Sequence, residues 1–489
     1  MKSLIINMLL KNLINTPAAG KRKIQIKGLA INSKEVKKDF IFFAVKGQKN
    51  NGEKFINEAI KNGASVVICA KNCKFKSKKI IVIKTKNTRY LLSEIASKFY
   101  KSKPKNIIAV TGTNGKTSIA DIFCQILSLN KILAASIGTL GIKYKNKIIK
   151  TGLTSPDTIS VHKYLQLLKN KKIDNVIIEA SSHGLDQNRL HHIKFKAAVF
   201  SNFSQDHLDY HKTMKAYLNA KLILFKKILP SNSCVILDKT ISEFSTLKKI
   251  SKKKELNLKE ISKIKDKIGN ISTIMKSEFQ KKNLAMAIAA AKLCGLKDEK
   301  IFESLKKIKN VNGRLELARK FSNNIRVFID YAHTPDALLK TLQSLKNYYG
   351  KNISLVFGCG GNRDQKKRPL MAKIANTHCK KIYVTDDNPR NENPKKIRSE
   401  LVKNIFDTRC FNIGSRSEAI KKAILNAEPN EIILIAGKGH ELKQIYKNNL
   451  LSISDKRIVK SLKVKIKVLS KKNQNYLHNK LILKKIIKN

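Results

Sequence analysis

Val110-Thr111-Gly112-Thr113-Asn114-Gly115-Lys116-Thr117-Ser118 is the stretch on which the reading of this chain turns. Before it stands a short apolar run, Ile107-Ile108-Ala109-Val110, with the length and branching of a buried strand. After it, Ile119 to Leu129 repeats apolar residues at helical spacing. Strand, glycine turn, lysine, hydroxyl and helix, in that order, make a phosphate-binding loop. Small residues let backbone N–H groups face phosphate oxygens, and the helix N-terminus adds favourable partial charge. The segment from Gly112, Thr113, Asn114 and Gly115 to Ser118 then cradles phosphate. Lys116 reaches the terminal phosphates and Thr117 holds Mg2+. The loop is shorter than the generic pattern, whose first glycine is replaced by Val110. A plain glycine turn between strand and helix is the alternative, and it does not account for Gly-Lys-Thr in this setting.

Composition bounds the rest. A chain of 489 residues exceeds one hydrophobic core, and about three domains are expected. No stretch approaches the ~18 uninterrupted apolar residues of a membrane span, so no membrane insertion is expected. Met1 to Ile14 is apolar, but Lys11 interrupts it and no cleavage site follows, so a signal peptide is not expected. The eight cysteines show no C-x-x-C and no metal-ligand spacing, which suits a reduced, cytoplasmic compartment. The net charge of +65 has two readings. One is a polyanionic partner, nucleic acid or an acidic membrane. The other is a coding bias toward Lys, Ile and Asn. Of 100 basic residues only 13 are arginine, and lysine is spread from end to end. A nucleic-acid binder would use more Arg and cluster it, so no specific nucleic-acid partner is expected. Arg189, Arg314, Arg363, Arg368 and Arg390 all fall in motif-like segments, where planar contacts to carboxylate or phosphate explain their retention.

The chain divides into blocks. Residues 1–100 alternate short apolar runs (Phe40 to Val45, Ala64 to Cys69) with helical patterns and form a small N-terminal α/β domain, followed by a basic linker. Residues 103–315 open with the phosphate loop and continue with strand candidates at 175–179, 197–200 and 234–237, which imply a mostly parallel sheet of the P-loop ATPase type. Lys248 to Lys267 reads as a solvated helix or loop. Residues 316–462 give strands near 327–329, 353–357, 381–384 and 432–435, a second, Rossmann-like α/β sheet. Residues 463–489 are a lysine-rich tail, read as an appended helix or frayed end. The fold class is therefore α/β, in three domains.

Most polar clusters follow a strand, where open α/β sheets bind ligands. Glu179, opening Glu179-Ala180-Ser181-Ser182-His183, offers a carboxylate for Mg2+ opposite Thr117. Asn202 to His211 packs His207, His211 and two aspartates closely, which suggests a second metal or a phosphate-facing surface; for His211 a histidine satisfied within a polar loop is the simpler account.

Five further segments make the resemblance specific: Gly313-Arg314-Leu315-Glu316, Asp330-Tyr331-Ala332-His333-Thr334-Pro335, Phe357-Gly358-Cys359-Gly360-Gly361-Asn362-Arg363-Asp364, Asp387-Asn388-Pro389-Arg390 and Gly437-Lys438-Gly439-His440-Glu441. With the shortened loop, these resemble the ATP-dependent Mur ligase family, from about residue 25 to residue 460, and within it the branch that adds 2,6-diaminopimelate. The resemblance implies an amide ligase of peptidoglycan precursor synthesis. It implies ATP, two Mg2+ ions held by Thr117, Glu179, His207 and Lys221, and a CO2-derived carbamate on Lys221. Residue type alone makes Lys221 a surface charge. The resemblance further implies that Asn283, Arg314 and Asp330 contact ATP. Ser33, Thr154, Ser155, Ser181, Gln187 and Arg189 would contact UDP-N-acetylmuramoyl-L-alanyl-D-glutamate. The family's Asp-Ser-Arg reads Asn32-Ser33-Lys34 here, and its Gly-x-Phe-Asn is replaced near Glu278-Phe279-Gln280, upstream of Asn283.

The amino-acid pocket can be argued from chemistry. Diaminopimelate carries a distal carboxylate and a distal ammonium, whereas lysine has only the ammonium. Selecting the former needs a cationic fork, which Arg390 supplies and Arg363 can extend. Asp387, Asn388, Pro389 and Gly437 line that place, and Glu441 pairs with the ammonium. An unpaired buried arginine would penalise lysine. Closure between nucleotide and amino-acid domains is expected to complete the site, in a monomer. The alternatives are a lysine-adding relative, a folylpolyglutamate synthetase, and a basic nucleic-acid-binding NTPase; the last leaves the Asp-Asn-Pro-Arg and Gly-Lys-Gly-His-Glu segments unexplained.

Overall fold

The computed structural model describes residues 6–15, 24–47, 50–268, 277–350, 352–405 and 408–462; the tail reading at 463–489 lies outside them. It divides into two compact units, Met1–Ser204 with His211–Lys309, and Gln205–Tyr210 with Asn310–Asn489.

The first unit holds two principal sheets. The smaller has four parallel strands in sequence order, Gly28–Ala30, Phe40–Phe43, Ala64–Ala70 and Ile81–Thr85. The helix Thr88–Phe99, capped by Asn87 Oδ1 on Tyr90 N at 3.0 Å, covers one face with Leu92, Ile95 and Phe99. The larger sheet has eight strands. Asn106–Thr111 lies at its middle, paired in parallel with Asn175–Glu179 on one side and Ala197–Phe200 on the other. Ile107, Ile108, Ala109 and Val110 are all buried, so the strand is apolar on both faces, as the centre of a parallel sheet requires. Parallel strands continue outward to Ala134–Gly138 at one end and Cys234–Leu237 then Asn257–Glu260 at the other. Beyond Ala134–Gly138 an antiparallel pair, Gly141–Tyr144 and Lys147–Ile149, closes the edge.

One expectation is corrected here. Within Lys248 to Lys267, read as solvated helix or loop, the chain makes the helix Phe244–Lys253, then the edge strand Asn257–Glu260, then the helix Ser262–Ile268. An edge strand has one partner and a wet margin, so it tolerates Asn, Lys and Glu that a central strand excludes.

The second unit is built on a six-stranded sheet. Arg326–Asp330, Ile432–Ala436, Ile353–Phe357, Lys381–Val384 and Cys410–Asn412 run parallel in that spatial order, with antiparallel Glu316–Lys320 on the edge. The helix Pro335–Tyr349 begins on Thr334, whose Oγ1 accepts from Ala337 N, with Pro335 in the first turn, where its missing N–H costs nothing. Among the described residues no helix is long and apolar enough to cross a membrane.

Candidate active site

Register brings the distant motifs of the first unit together. Glu179 pairs with Val110, and Phe200 with Thr111, so three strands end side by side and their loops meet. The phosphate loop turns at Gly112 and Gly115, with φ of +134° and +88°. A Cβ at Gly112 would strike Ser201 Oγ, and one at Gly115 would press on the Asn283 carboxamide. Asn283 thus lies against the loop from the helix Glu278–Lys292, which starts on a Ser277/Gln280 capping box. Asn202 Oδ1 accepts from Asn114 N at 2.9 Å, and Thr113 N donates to Asn202 O. The helix Lys116–Leu129 starts directly after Gly115.

Glu179 is 1% exposed, and every hydrogen bond given to its carboxylate comes from a neutral donor. Thr117 Oγ1 donates to Oε2 at 2.9 Å, Thr139 Oγ1 to the same oxygen at 3.0 Å, and Thr139 N to Oε1 at 2.9 Å. Hydroxyl and carboxylate oxygens side by side are the hard donors that Mg2+ takes. Thr139 was not singled out in the sequence: its partner is 40 residues away, and only the sheet reveals it.

The ammonium of Lys221, 1% exposed, donates to Gly112 O at 2.7 Å and lies 4.4 Å above the Tyr217 ring. Lys116 Nζ turns back onto Gly112 O and Thr113 O, at 2.8 and 2.7 Å. Tyr217 Oη is 3.2 Å from Thr113 Oγ1, so this tyrosine, another residue the sequence did not mark, ties the Lys221 helix to the loop. His211 is buried, with its ring between His183 and Tyr217.

The residues expected to hold the UDP-linked substrate cluster around the same carboxylate strand. Thr154 Oγ1 is 3.1 Å from Thr139 Oγ1. Ser155 Oγ donates to Glu179 O, lies 3.0 Å from Ser181 Oγ and accepts from Ser181 N. Arg189 forks onto Gln187 Oε1 and reaches Ser155 O at 2.7 Å. Ser33 sits in the small sheet domain, where its hydroxyl donates to Glu58.

In the second unit the expected residues again follow parallel strands, except Arg314, which precedes the antiparallel edge strand. Asp330 closes one strand and is buried, which raises its pKa; Thr341 Oγ1 donates to it at 2.7 Å. Arg314 stacks 4.3 Å over the Tyr331 ring. Tyr331 Oη approaches Glu441 Oε1 at 3.4 Å, and burial drops the neighbouring His440 to about 4. Asn388 Nδ2 donates to Glu441 Oε2 at 2.9 Å. Burial raises the Glu441 carboxyl, but the Lys438 charge and the hydrogen bonds from Lys438 and Asn388 together hold it below its usual range. Arg390, at φ +53°, donates to Gly361 O at 2.8 Å. Its pKa is lowered by burial and then by the nearby charge of Arg363, while Asp387 and Glu441 act the other way. Gly437 packs against the Asp387 carboxylate.

His207 belongs to this unit, at φ +57°, beside the buried Asp206. Burial raises Asp206, yet Lys367, His207 and His333 together hold it well below the ordinary carboxylate range. Among the described residues no three His, Cys, Asp or Glu side chains are grouped to hold a metal.

A phosphate loop at the head of a parallel sheet, with a hydroxyl–carboxylate pair beside it, defines a nucleotide-dependent α/β enzyme. Comparison with known proteins gives the family. Residues 25–100 match the catalytic-domain model of the Mur ligase family, 110–293 the Mur ligase middle domain, and 313–439 the Mur ligase glutamate ligase domain. The UDP-N-acetylmuramoyl-L-alanyl-D-glutamate--2,6-diaminopimelate ligase of Rickettsia prowazekii is 40% identical, over 89% of this chain and 95% of its own. A solved structure of a ligase with that same name is 28% identical, with a TM-score of 0.63, over 93% of this chain and 98% of that one. MurF from Acinetobacter baumannii, at 16% identity, shares the fold, with a TM-score of 0.61 over 89% of this chain and 96% of its own. This chain belongs to the Mur ligase family.

Proposed function

We propose that this protein uses ATP to join meso-2,6-diaminopimelate to the D-glutamate γ-carboxylate of UDP-N-acetylmuramoyl-L-alanyl-D-glutamate. The observation that carries the choice of amino acid is the second unit's charge pattern. The charge of a half-buried arginine, Arg390, is disfavoured by burial and by a second arginine, Arg363, and is offset by the nearby carboxylates of Asp387 and Glu441. The two arginines match an incoming carboxylate, and the Glu441 carboxylate matches an ammonium. Relatives bearing that ligase name support the reading.

A γ-carboxylate oxygen attacks the γ-phosphorus of ATP, the bond to ADP breaks, and an acyl phosphate forms. The free amine of diaminopimelate attacks the acyl carbon; phosphate leaves, and the amine proton passes to solvent. Lys116 and the N–H groups of Gly112 to Ser118 neutralise charge on the phosphoryl group. Asn283, Arg314 and Asp330 hold the nucleotide. Thr117 and Glu179 would hold one Mg2+ and His207 a second, with Lys221, carbamylated, as a carboxylate-like ligand. Bound Mg2+ supplies Lewis-acid charge to the phosphoryl oxygens. Ser33, Thr154, Ser155, Ser181, Gln187 and Arg189 orient the UDP-linked substrate. Asp387 to Arg390, Arg363, Gly437 and Glu441 select the amino acid. The reaction runs in the cytoplasm, in a monomer.

The test is mass. Protein, ATP, Mg2+ and the UDP-linked dipeptide are incubated with meso-diaminopimelate or L-lysine, and the nucleotide product is weighed. A gain with diaminopimelate alone is expected. A gain with lysine alone overturns the pocket assignment, and no gain with either overturns the reaction.

A further inference from the structure

Lys438 lies in the Gly437–Glu441 turn but is 1% exposed, among the most buried lysines of the described residues. A buried ammonium persists only if its three protons find acceptors. Here they do. Nζ is 2.9 Å from Glu441 Oε2, 3.1 Å from Asn388 Oδ1 and 2.7 Å from Lys443 O. Asn388 Oδ1 also accepts from Ile445 N, while Asn388 Nδ2 donates to the same Glu441 Oε2. One carboxylate oxygen is therefore fully taken by protein donors. The other, Oε1, faces only the Tyr331 hydroxyl at a loose 3.4 Å, and the side chain stays 30% exposed.

From this arrangement we infer that Lys438 is a positioning and specificity-determining residue. It pins Asn388 and Glu441 in one geometry and consumes one Glu441 oxygen, so that the substrate's distal ammonium meets Oε1 alone. The inference rests on the reading of Glu441 as the ammonium partner. A carboxylate held on one side by a fixed cation cannot swing to follow a shifted ammonium. It rewards the distal amine only at one distance and angle, and offers little to an amino acid that lacks it. Without Lys438, Glu441 turns into solvent and the distal amine no longer counts.

The test compares kcat/KM for meso-diaminopimelate with that for 2-aminopimelate, which keeps both carboxylates but lacks the distal amine. The wild-type protein is expected to favour diaminopimelate strongly. A wild type that does not ligate diaminopimelate, or does not distinguish the two, overturns the underlying reading before any variant is made. In K438M the preference is expected to fall about tenfold or more, through a raised KM for diaminopimelate, with KM for 2-aminopimelate little changed. E441Q is expected to lower the same preference, and K438M/E441Q to lower it no further than either alone. K438R, which keeps the charge, restores part of it. A folded K438M with an unchanged preference, or one that loses both substrates equally, overturns the inference. If K438M does not fold, K438Q is read on the same ratio, and the same two outcomes decide.

Discussion

Thr139 shows how much of this site depends on a residue outside its sequence motifs. Its hydroxyl and its N–H both donate to Glu179, while Thr117 supplies the third bond. A buried carboxylate fixed at both oxygens presents its remaining lone pairs in one direction, which is what a metal ligand needs. T139V keeps the shape and the N–H bond but removes one donor. It is expected to lower kcat/KM about 10- to 100-fold and to raise the Mg2+ concentration needed for half-activity. Its melting temperature should stay within a few degrees of wild type, because the N–H bond to Oε1 survives. An unchanged Mg2+ dependence would dissociate Thr139 from the metal. The phosphate loop itself was legible because all of its parts lie within nine consecutive residues. Thr139, Tyr217 and Lys438 were not. Thr139 and Tyr217 act on partners 40 and 104 residues away, and Lys438, though three residues from Glu441, also holds Asn388, 50 residues away; no local pattern carries such long-range pairings.

At the scale of elements the same division holds. Strands with wholly or almost wholly apolar runs, such as Ile432–Ala436 and Ile353–Phe357, were legible because both of their faces are buried. The hairpin of Gly141–Tyr144 and Lys147–Ile149 was not: it turns through Lys145-Asn146, with Lys145 at φ +49°, and lacks the glycine that marks such turns. Arg368 shows what joins elements around the amino-acid site. Opening the helix Lys367–His378, it is 1% exposed and bonds Glu400, on the helix Pro394–Val402, and Glu392, in the segment after Arg390, each at 2.7 Å. Glu392 also accepts from Gln365 and from Asn362 N, so it holds the loop that carries Arg363. Burial raises the Glu392 carboxyl, but Arg368 and the Asn362 N–H outweigh it and leave it below its usual range. A depressed native pKa stabilises the fold above the ordinary glutamate range, and that stabilisation is lost as pH falls through the native value. E392Q is therefore expected to melt below wild type at pH 7, with the gap closing as pH falls through the depressed native range of Glu392. A gap that persists in acid would assign the effect to packing rather than charge.

For the whole molecule the open question is a net charge of +65 on an enzyme whose substrates are small anions. The arginines answer part of it. Arg189, Arg314, Arg368 and Arg416 are each committed to a carbonyl, a carboxylate or an aromatic face inside their own unit. The lysines carry almost all the remaining charge, and they are spread through both units rather than massed on one element. A diffuse field of ammonium groups attracts any polyanion by counterion release, without reading its sequence. The protein is therefore expected to bind duplex DNA or RNA at 50 mM salt with no sequence preference. That affinity should fall by about 10³-fold or more at 200 mM, while ATP turnover in the ligase reaction stays the same with or without nucleic acid. Fluorescence anisotropy across a salt series, run beside an ADP-release assay, reads both quantities at once. Binding that resists salt, prefers one sequence and stimulates ATP hydrolysis would mean that the charge serves a nucleic-acid function. Binding that collapses with salt, while ligation is untouched, makes the charge a solvated surface that the enzyme carries and does not use.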